Sequence, residues 1–360
     1  MFTPSTPIVI FMEDCYGDMH GKMCYDLLRF AENPILGIID STKAGKLSKD
    51  VMPQLPRGNT PIIKDVDEAA ALGAKALVIG MAPSGGLLPD FWYPMLDRAI
   101  EIGMSIVNGL HVKLGLRYPN LKPDQWVWDV RQEPSGLGIG KGRAHELNNK
   151  RMLIVGTDMA NGKMTAGLKV LEAARKRGIK ADFLATGQIG IVLRGKGVPL
   201  DAIKLDYACG AIEKGVLELA DNELIIIEGQ GSVLHPGSTA TMPLLRGSCP
   251  THLLLNHKCG LDHLRDFTWI KFPPLKKVAQ VYEDLASAGG ALPPAKVYGI
   301  SLNTQNLTEQ EAKDAVKRAE DETGLPANDP VRFGVTFFES GMYEEGCRKR
   351  RSCFVRLEKW

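Results

Sequence analysis

The chain has 360 residues, of which 44% are hydrophobic and 24% are charged, which is the composition of an ordinary globular protein with a large core. Its 44 basic and 42 acidic residues leave a net charge of +2, so charge provides no reason to expect nucleic acid or an anionic membrane as a partner. The length favours two domains, and the seven irregularly spaced cysteines indicate a reduced intracellular protein rather than a disulfide framework.

The N-terminal region shows neither a signal peptide nor a membrane span. No basic segment precedes its first apolar run. That run, Ile8–Met12, has the length of a strand and is far too short to cross a bilayer. We therefore expect a cytoplasmic protein without a membrane partner.

The first part of the chain alternates short apolar runs with longer amphipathic stretches. This alternation predicts a parallel sheet with helices on both faces, as in Rossmann-like domains. The predicted strands are Ile8–Met12, Ile35–Ile39, Ala76–Ile79 and Ser105–Val107, and the predicted helices are Lys22–Phe30, Val66–Leu72 and Leu88–Ile102.

A second α/β unit begins with the apolar run Met152–Val155. The glycine-rich segment Glu133–Lys150 before it is interpreted as a linker, which gives domains at residues 1–145 and 146–340. The last residues, 341–360, form a basic tail of unassigned role, because basic residues without interleaved aromatic residues are a weak sign of nucleic-acid binding. The later predicted elements are strands Asp182–Ala185, Leu224–Ile227, His252–Leu255 and Lys296–Ile300 and helices Ala166–Arg177 and Thr308–Thr323.

The segment GTDMANGKMT follows the strand Met152–Val155 and has the features of a phosphate-binding loop. Its glycines allow several backbone N–H groups to point inward, the following helix adds its dipole, and Lys163 adds a positive charge. An incidental strand–turn–helix joint is the alternative, but strand, loop, Gly-Lys pair, hydroxyl and helix all occur in order. The residues predicted to bind the phosphorylated ligand are Gly156, Thr157, Asn161, Gly162, Lys163, Met164 and Thr165.

This loop departs from the standard P-loop at two places. Five residues, rather than four, separate Gly156 from Gly162. Met164 stands where a hydroxyl residue would hold Mg²⁺, and the hydroxyl comes one position later, at Thr165. The sequence therefore supports phosphate binding and disfavours ATP-Mg as the ligand.

Polar residues follow the buried strand Leu224–Ile227 in the segment EGQGSVLHP. Ligands bind beyond the carboxyl ends of strands in doubly wound sheets, so we expect Glu228 to face the same crevice as Lys163. A purely structural Glu–Lys pair is the alternative, although carboxylates beside phosphate loops often serve as bases or metal ligands. The candidate catalytic residues are Glu228, His235, Gln230 and Asp158.

The two segments, GTDMANGKMT and IIEGQGSVLHP, together resemble a family long classified as a domain of unknown function with a P-loop C-terminal half. That family is associated with D-glutamate N-acetyltransferase activity. Similar segments in the first half include GKMCYDLLRF, IIDSTKAG and IGMAPSGG, so the resemblance covers both halves of the chain. The same loop and turn are also similar to dethiobiotin synthetase, in which the hydroxyl follows the lysine directly.

The resemblance implies an enzyme that transfers acetyl from acetyl-CoA to the α-amine of D-glutamate or a related D-amino acid. CoA phosphates would occupy the loop, Glu228 or His235 would remove the ammonium proton, and Gln230 would help to stabilise the oxyanion. The expected partners are a small-molecule substrate and, in a homo-oligomer, further copies of the chain. An ATP-dependent ligase or kinase-like enzyme similar to dethiobiotin synthetase is the alternative.

Two weaker patterns also allow ordinary structural roles. Three histidines and a cysteine cluster in THLLLNHKCGLDH, but their spacing matches no standard zinc pattern, and no metal site is predicted. Asp40 ends the second predicted strand, where dinucleotide-binding folds place a ribose-binding acid. No GxGxxG follows the first strand, so NAD is not expected, and Asp40 either caps a turn or contacts a ligand.

Overall fold

The structure is a computed structural model that describes residues 1–18, 20–81 and 86–335. The chain divides into two compact units, Met1–Ser135 with Gly187–Ile203, and Gly136–Thr186 with the described residues from Lys204 onward. The basic tail assigned to residues 341–360 lies outside the described residues. Within the described ranges, no helix is both long enough and apolar enough to span a membrane.

The first unit contains a parallel sheet, in which the described residues form six strands in the order β3-β2-β1-β4-β5-β6. This is the strand order of Rossmann folds, in which the direction of winding reverses between the first and fourth strands. The strands are β1 Ile8–Phe11, β2 Ile35–Ile39, β3 Ile62–Ile63, β4 Ala76–Ile79, β5 Ser105–Asn108 and β6 Val127–Asp129. The helices are α1 Lys22–Phe30, α2 Ser48–Val51, α3 Val66–Ala71, α4 Tyr93–Glu101 and, from the returning segment, α6 Gln188–Arg194.

The central strands of this unit are apolar at every position. All residues of β1 and β4 are buried, because helices cover both faces of a parallel sheet. Helix α6 packs against α1. A Cβ on Gly109 would lie 2.5 Å from Cε of Met23 and 3.5 Å from Cγ of Gln188, so a glycine is needed where these helices meet the end of β5.

The second unit contains a second parallel sheet, whose described strands follow the order β14-β13-β10-β7-β9-β8. From β7 the chain runs to β8, the outermost described strand on that side, returns to β9 beside β7, and then crosses to β10 on the other side, so the winding reverses at β7. The strands are β7 Lys150–Gly156, β8 Ala181–Leu184, β9 Leu224–Ile227, β10 His252–Lys258, β13 Lys296–Asn303 and β14 Ala327–Asn328, with an antiparallel hairpin of β11 His263–Leu264 and β12 Phe267–Lys271. The helices are α5 Lys163–Lys176, α7 Leu205–Leu217, α8 Thr241–Ser248, α9 Leu275–Ser287 and α10 Glu309–Thr323.

The predicted fold, a Rossmann-like domain followed by a doubly wound domain with a P-loop, is confirmed. Helix α4 begins at Tyr93 rather than at Leu88, because Pro89 precedes a 3₁₀ turn and Pro94 fits only the first turn of the helix. Strands β10 and β13 extend beyond their predicted ends, to Lys258 and Asn303. The hairpin and the short strands β3, β6 and β14 were not predicted, because such short runs carry no clear periodicity.

The glycine-rich segment before β7 is largely exposed, yet it is attached to α7. The backbone N–H groups of Lys141 and Arg143 donate to Oε2 of Glu213 at 2.9 and 3.0 Å, and Nε of Arg143 donates to Oε1 at 2.9 Å. Burial alone would raise the pKa of Glu213, but these hydrogen bonds lower it overall. A Cβ on Gly210 would lie 1.9 Å from the Gly138 carbonyl oxygen, so glycine permits this close approach.

Candidate functional site

The predicted phosphate loop connects β7 to α5 at the carboxyl edge of the second sheet. Helix α5 begins at Lys163, so Met164 and Thr165 belong to its first turn instead of preceding a helix that starts at Ala166. Gly162, with φ at 106°, adopts the left-handed conformation that lets the chain enter the helix. Backbone N–H groups at the start of such a helix favour a bound anion.

Asparagines from two neighbouring strands hold this loop. Nδ2 of Asn161 donates to the Asn256 carbonyl oxygen at 2.8 Å, and Nδ2 of Asn256 donates to the Asn161 carbonyl oxygen at 2.9 Å. Nδ2 of Asn303 donates to the same Asn161 oxygen at 3.1 Å. Asn161 thus holds the loop through both its side-chain amide and its backbone carbonyl, and no sequence pattern indicated Asn256 and Asn303 as its partners.

The side chain of Lys163 is buried within the loop, with 6% of the residue exposed. Its Nζ donates to the Asp158 carbonyl oxygen at 2.8 Å and to Oδ1 of Asn161 at 3.2 Å. A Cβ added to Gly156 or to Gly229 would lie 3.2 or 3.0 Å from Cδ of Lys163. The lysine therefore runs across both glycines, and the structure brings the phosphate loop beside the residue that follows Glu228.

The carboxylate of Asp158 accepts hydrogen bonds from two backbone groups. Oδ1 accepts from the N–H of Met159 at 2.6 Å, and Oδ2 accepts from the N–H of Arg265 at 3.0 Å. Arg265 lies in the turn of the β11–β12 hairpin, so Asp158 attaches the hairpin to the phosphate loop. Both carboxylate oxygens of this candidate residue are engaged in positioning backbone.

Glu228 follows β9 and is only 4% exposed. Its Oε2 accepts from the N–H of Thr186 at 2.8 Å, while the Thr186 hydroxyl donates to the Glu228 carbonyl oxygen at 2.8 Å. Nε2 of Gln230 donates to that hydroxyl at 3.3 Å. Thr186 follows Ala185 just beyond the end of β8. Its hydrogen bonds to Glu228 therefore join the ends of β8 and β9, and no sequence pattern indicated this role.

His235 lies in the loop between β9 and α8 and is 5% exposed. Its Nδ1 accepts a hydrogen bond from the backbone N–H of Gly237 at 3.1 Å. A backbone N–H can only donate, so the neutral imidazole carries its proton on Nε2. That Nε2 is buried and has no hydrogen-bond partner among the residues that the structure describes. The ring of Phe267, in the hairpin, packs perpendicular to the imidazole at 5.1 Å between centroids.

Tyr282 of α9 connects the His235 loop to the phosphate loop. Its hydroxyl donates to the Gly156 carbonyl oxygen at 2.6 Å and accepts from the N–H of Val233 at 3.2 Å. The side chain is fully buried. No sequence pattern distinguished this tyrosine from an ordinary core residue of an amphipathic helix.

The histidines of the THLLLNHKCGLDH segment have separate surroundings. Nδ1 of His257 pairs with the Thr157 hydroxyl at 2.9 Å, and burial lowers the pKa of His257 to about 4. His252, at the other end of β10, stacks on Tyr298 at 4.2 Å. Within the described ranges, no group of three or more His, Cys, Asp or Glu residues is arranged to hold a metal ion.

Asp40, in the first unit, accepts four hydrogen bonds. Oδ1 accepts from the N–H of Thr42 at 3.1 Å and from its hydroxyl at 2.6 Å, and Oδ2 accepts from the N–H of Tyr16 at 3.0 Å and from Nζ of Lys43 at 2.9 Å. Burial alone would raise the pKa of Asp40, but the hydrogen bonds from Thr42 and Lys43 lower it overall. The carboxylate therefore caps the 3₁₀ turn after β2.

The segments that follow β7 and β9 carry three kinds of chemical group. The helix start and Lys163 favour an anion, Glu228 supplies a buried carboxylate, and His235 supplies a buried N–H donor. Such a combination suits a phosphorylated cosubstrate and a reaction that moves a proton and develops negative charge on oxygen.

Comparisons with known proteins place both units in one family. A family model described as the P-loop domain of DUF1611, a domain of unknown function, matches residues 138–338. The companion model, described as the Rossmann-like N-terminal domain, matches residues 41–133. A crystal structure of a DUF1611 family protein from Anabaena variabilis has a TM-score of 0.87 and 44% sequence identity, covering 93% of this chain and 98% of that one.

Two curated relatives carry a functional name. A protein from Pseudoalteromonas is 37% identical over 273 residues, and one from Tritonibacter scottomollicae is 39% identical over 280 residues. The matches cover 74% and 75% of this chain and 81% of each relative. Both relatives are named D-glutamate N-acetyltransferase.

Proposed function

This chain belongs to the DUF1611 family, and from that premise we propose that it is an N-acetyltransferase that moves acetyl from acetyl-CoA to the α-amine of D-glutamate or a related D-amino acid. The names of the two relatives support this reaction. The structural observation that carries the proposal is the position of Lys163, which is buried in the loop after β7 and runs across Gly229, the residue that follows the buried Glu228.

Acetyl-CoA suits the phosphate loop better than ATP-Mg does. CoA carries a pyrophosphate and a 3′-phosphate, which the helix N-terminus and Lys163 can bind without a metal ion. Met164 occupies the position from which a hydroxyl would ligate Mg²⁺, and its thioether is a poor ligand for that hard cation. We therefore assign the loop to a phosphate group of CoA.

The chemistry requires a base, because the α-amine is protonated near neutral pH. We propose that Glu228 takes one ammonium proton, after which the amine nitrogen attacks the thioester carbonyl carbon. The C–N bond forms and the C–S bond breaks. The attacking nitrogen loses its second proton to the departing CoA thiolate, and Glu228 releases the first proton to solvent. Glu228 is favoured over His235 because Nδ1 of His235 already accepts the Gly237 N–H.

Product analysis and one matched pair of variants test this proposal. With acetyl-CoA and D-glutamate, mass spectrometry should detect N-acetyl-D-glutamate and free CoA. Glu228→Gln should lower kcat by about 10²- to 10⁴-fold and leave CoA binding nearly intact. The control is Glu218→Gln, an exposed change at the end of α7 that should leave the rate unchanged. The absence of an N-acetylated product from every D-amino acid tested would end the proposal.

The choice of cosubstrate can be tested separately by thermal shift. CoA at a hundred times its dissociation constant should stabilise the protein by about 2.7 kcal/mol. ATP-Mg at the same concentration should stabilise the protein less, because we expect it to bind more weakly. Activity should not require Ser or Thr at position 164. Steady ATP turnover that depends on Mg²⁺ and on a second substrate would instead support an ATP-dependent ligase similar to dethiobiotin synthetase.

A further inference from the structure

We propose that His235 is a fixed hydrogen-bond donor to an oxygen atom of the bound substrates, and not a proton acceptor. The inference rests on the proposed acetyl transfer for its substrates, but its structural basis is independent. It depends on which nitrogen of the imidazole carries the proton and on whether that nitrogen has a hydrogen-bond partner.

The backbone determines the tautomer of His235. The Gly237 N–H donates to Nδ1 at 3.1 Å, so the proton of the neutral ring is on Nε2. A general base must accept a further proton, and the available nitrogen is Nδ1. Protonation there would place two N–H groups against each other and break the hydrogen bond to Gly237. The geometry therefore opposes a role as a base and leaves the Nε2–H group as a hydrogen-bond donor.

The donor group lacks an acceptor within the described part of the chain. Nε2 is buried, in a residue that is only 5% exposed, and it makes no hydrogen bond there. Water therefore does not satisfy this donor. Buried donors are normally paired, and an exception requires an explanation. An oxygen atom of a bound substrate would supply the missing acceptor.

The surroundings of His235 connect it to the phosphate loop from two sides. Tyr282 joins Val233 to Gly156 through its hydroxyl. On the other side, the hairpin that places Phe267 against the imidazole is attached to the phosphate loop through the Arg265 N–H. The donor therefore belongs to the framework that also positions Lys163.

One charged group that interacts with His235 comes from the same hairpin. The carboxylate of Asp266 interacts electrostatically with His235, and it forms an ion pair with Arg265 at 2.9 Å. The acceptor for Nε2–H can be the thioester carbonyl oxygen, which becomes negative during attack, or a carboxylate oxygen of the amino acid. Both are oxygen acceptors, and kinetics can distinguish them.

The decisive comparison is His235→Gln with His235→Ala. A glutamine side chain can place an N–H₂ donor near the Nε2 position, but it cannot act as a base. We expect His235→Ala to lower kcat/KM by about 10²- to 10³-fold and His235→Gln to recover most of that loss. A fall in kcat identifies the thioester carbonyl as acceptor, whereas a rise in KM for D-glutamate identifies the carboxylate. His145→Ala, at an exposed histidine before β7, is the control.

Two kinetic outcomes would overturn the proposal. In the first, His235→Gln is as inactive as His235→Ala, and both variants lack the ascending limb that the pH–rate profile of the wild type shows. His235 would then be the base. If His235→Ala retains wild-type kcat and KM and changes only thermal stability, the histidine has a structural role alone.

Imidazole ¹⁵N NMR tests the tautomer without any activity measurement. The His235 signals, assigned by their loss in His235→Gln, should show Nε2 protonated and Nδ1 unprotonated in the neutral ring. A proton on Nδ1 would contradict the proposal even if the variants refold poorly. Absence of acetyl transfer by the wild type would end the proposed function, whereas the NMR result would still decide the state of the histidine.

Discussion

At the residue scale, glycines determine how closely the phosphate loop and the Glu228 turn can approach. Gly229 is the most restrictive position, because a Cβ there would lie 1.7 Å from the Ile154 carbonyl oxygen and 3.0 Å from Cδ of Lys163. A backbone oxygen cannot move aside as a flexible side chain can. The close approach of Lys163 to the turn after Glu228 therefore depends on the absence of a side chain at Gly229.

We expect Gly229→Ala to destabilise the protein by about 1–3 kcal/mol, because the new methyl group forces β7 and the turn apart. CoA affinity should fall as well, since Lys163 is displaced. Urea denaturation and calorimetric titration measure the two effects. Gly138→Ala is the matched control, because an added Cβ there meets no atom within 4 Å. Equal stability of the two variants would contradict the close packing described for Gly229.

Lys163 provides a second prediction at this scale. Lys163→Ala should weaken CoA binding by about 2–3 kcal/mol, which is the strength of a charge-assisted hydrogen bond to phosphate. Lys163→Met should give a similar loss while it retains the methylene groups that cross Gly156 and Gly229. Lys176→Ala, at the exposed end of the same helix, should bind CoA normally. Unchanged affinity in a folded Lys163 variant would end the assignment of this loop to phosphate.

At the scale of elements, the glycine-rich segment before β7 is exposed to solvent but is also hydrogen-bonded to α7. We predict that a protease cuts the exposed stretch Gly136–Gly142, within this segment, before it cuts the phosphate loop. The structure adds a specific restraint, because Glu213 of α7 accepts hydrogen bonds from Lys141 and Arg143. Breaking the hydrogen bonds to this carboxylate should therefore make the segment easier for a protease to cut.

Glu213→Gln should increase the rate of limited proteolysis in this segment several-fold, because a neutral amide interacts more weakly with Arg143. Acid should act in the same direction. The pKa of Glu213 is lower in the folded state than in the unfolded state. The carboxylate therefore contributes its full stability above the unfolded pKa, and this stability is lost as the pH falls through the folded pKa. Mass mapping of the first cut gives the result, with the exposed Glu218→Gln as control. Identical cutting of Glu213→Gln and wild type would show that the contact is not a restraint.

At the scale of the whole molecule, buried histidines connect global stability to pH. Burial lowers the pKa of His252 to about 4, with smaller contributions from the charges of Lys150 and Arg151. In the unfolded chain this histidine titrates near its ordinary value of about 6.5. The unfolded state therefore binds more protons between these values, so stability must fall as the pH is lowered through this range.

The expected loss from His252 is at most roughly 3 kcal/mol between about pH 6.5 and about pH 4. Urea denaturation at several pH values should show a smaller pH dependence for His252→Gln than for the wild type. The substitution keeps a polar group beside Thr251, which pairs with Nδ1 of the histidine at 2.7 Å. Identical pH dependence in both proteins would show that His252 does not remain neutral in the folded state.

The sequence alone determined the α/β class, the positions of the main strands along the chain and the glycine-containing loop between β7 and α5. These features depend on local information, because an apolar run, a Gly-Lys pair and a following helix can be recognised within short segments. The boundary of α5 was misplaced, because the left-handed Gly162 lets the helix begin at Lys163.

Only the tertiary structure revealed the groups that support the site. Asn161 contacts Asn256 and Asn303 across 95 and 142 residues of chain, and Tyr282 reaches Gly156 across 126 residues. The return of Gly187–Ile203 to the first unit is equally non-local. The donor nitrogen of His235 also became evident only once the Gly237 N–H was seen to point at Nδ1. Hydrogen bonds depend on distance and direction in space, which residue types and their spacing do not specify.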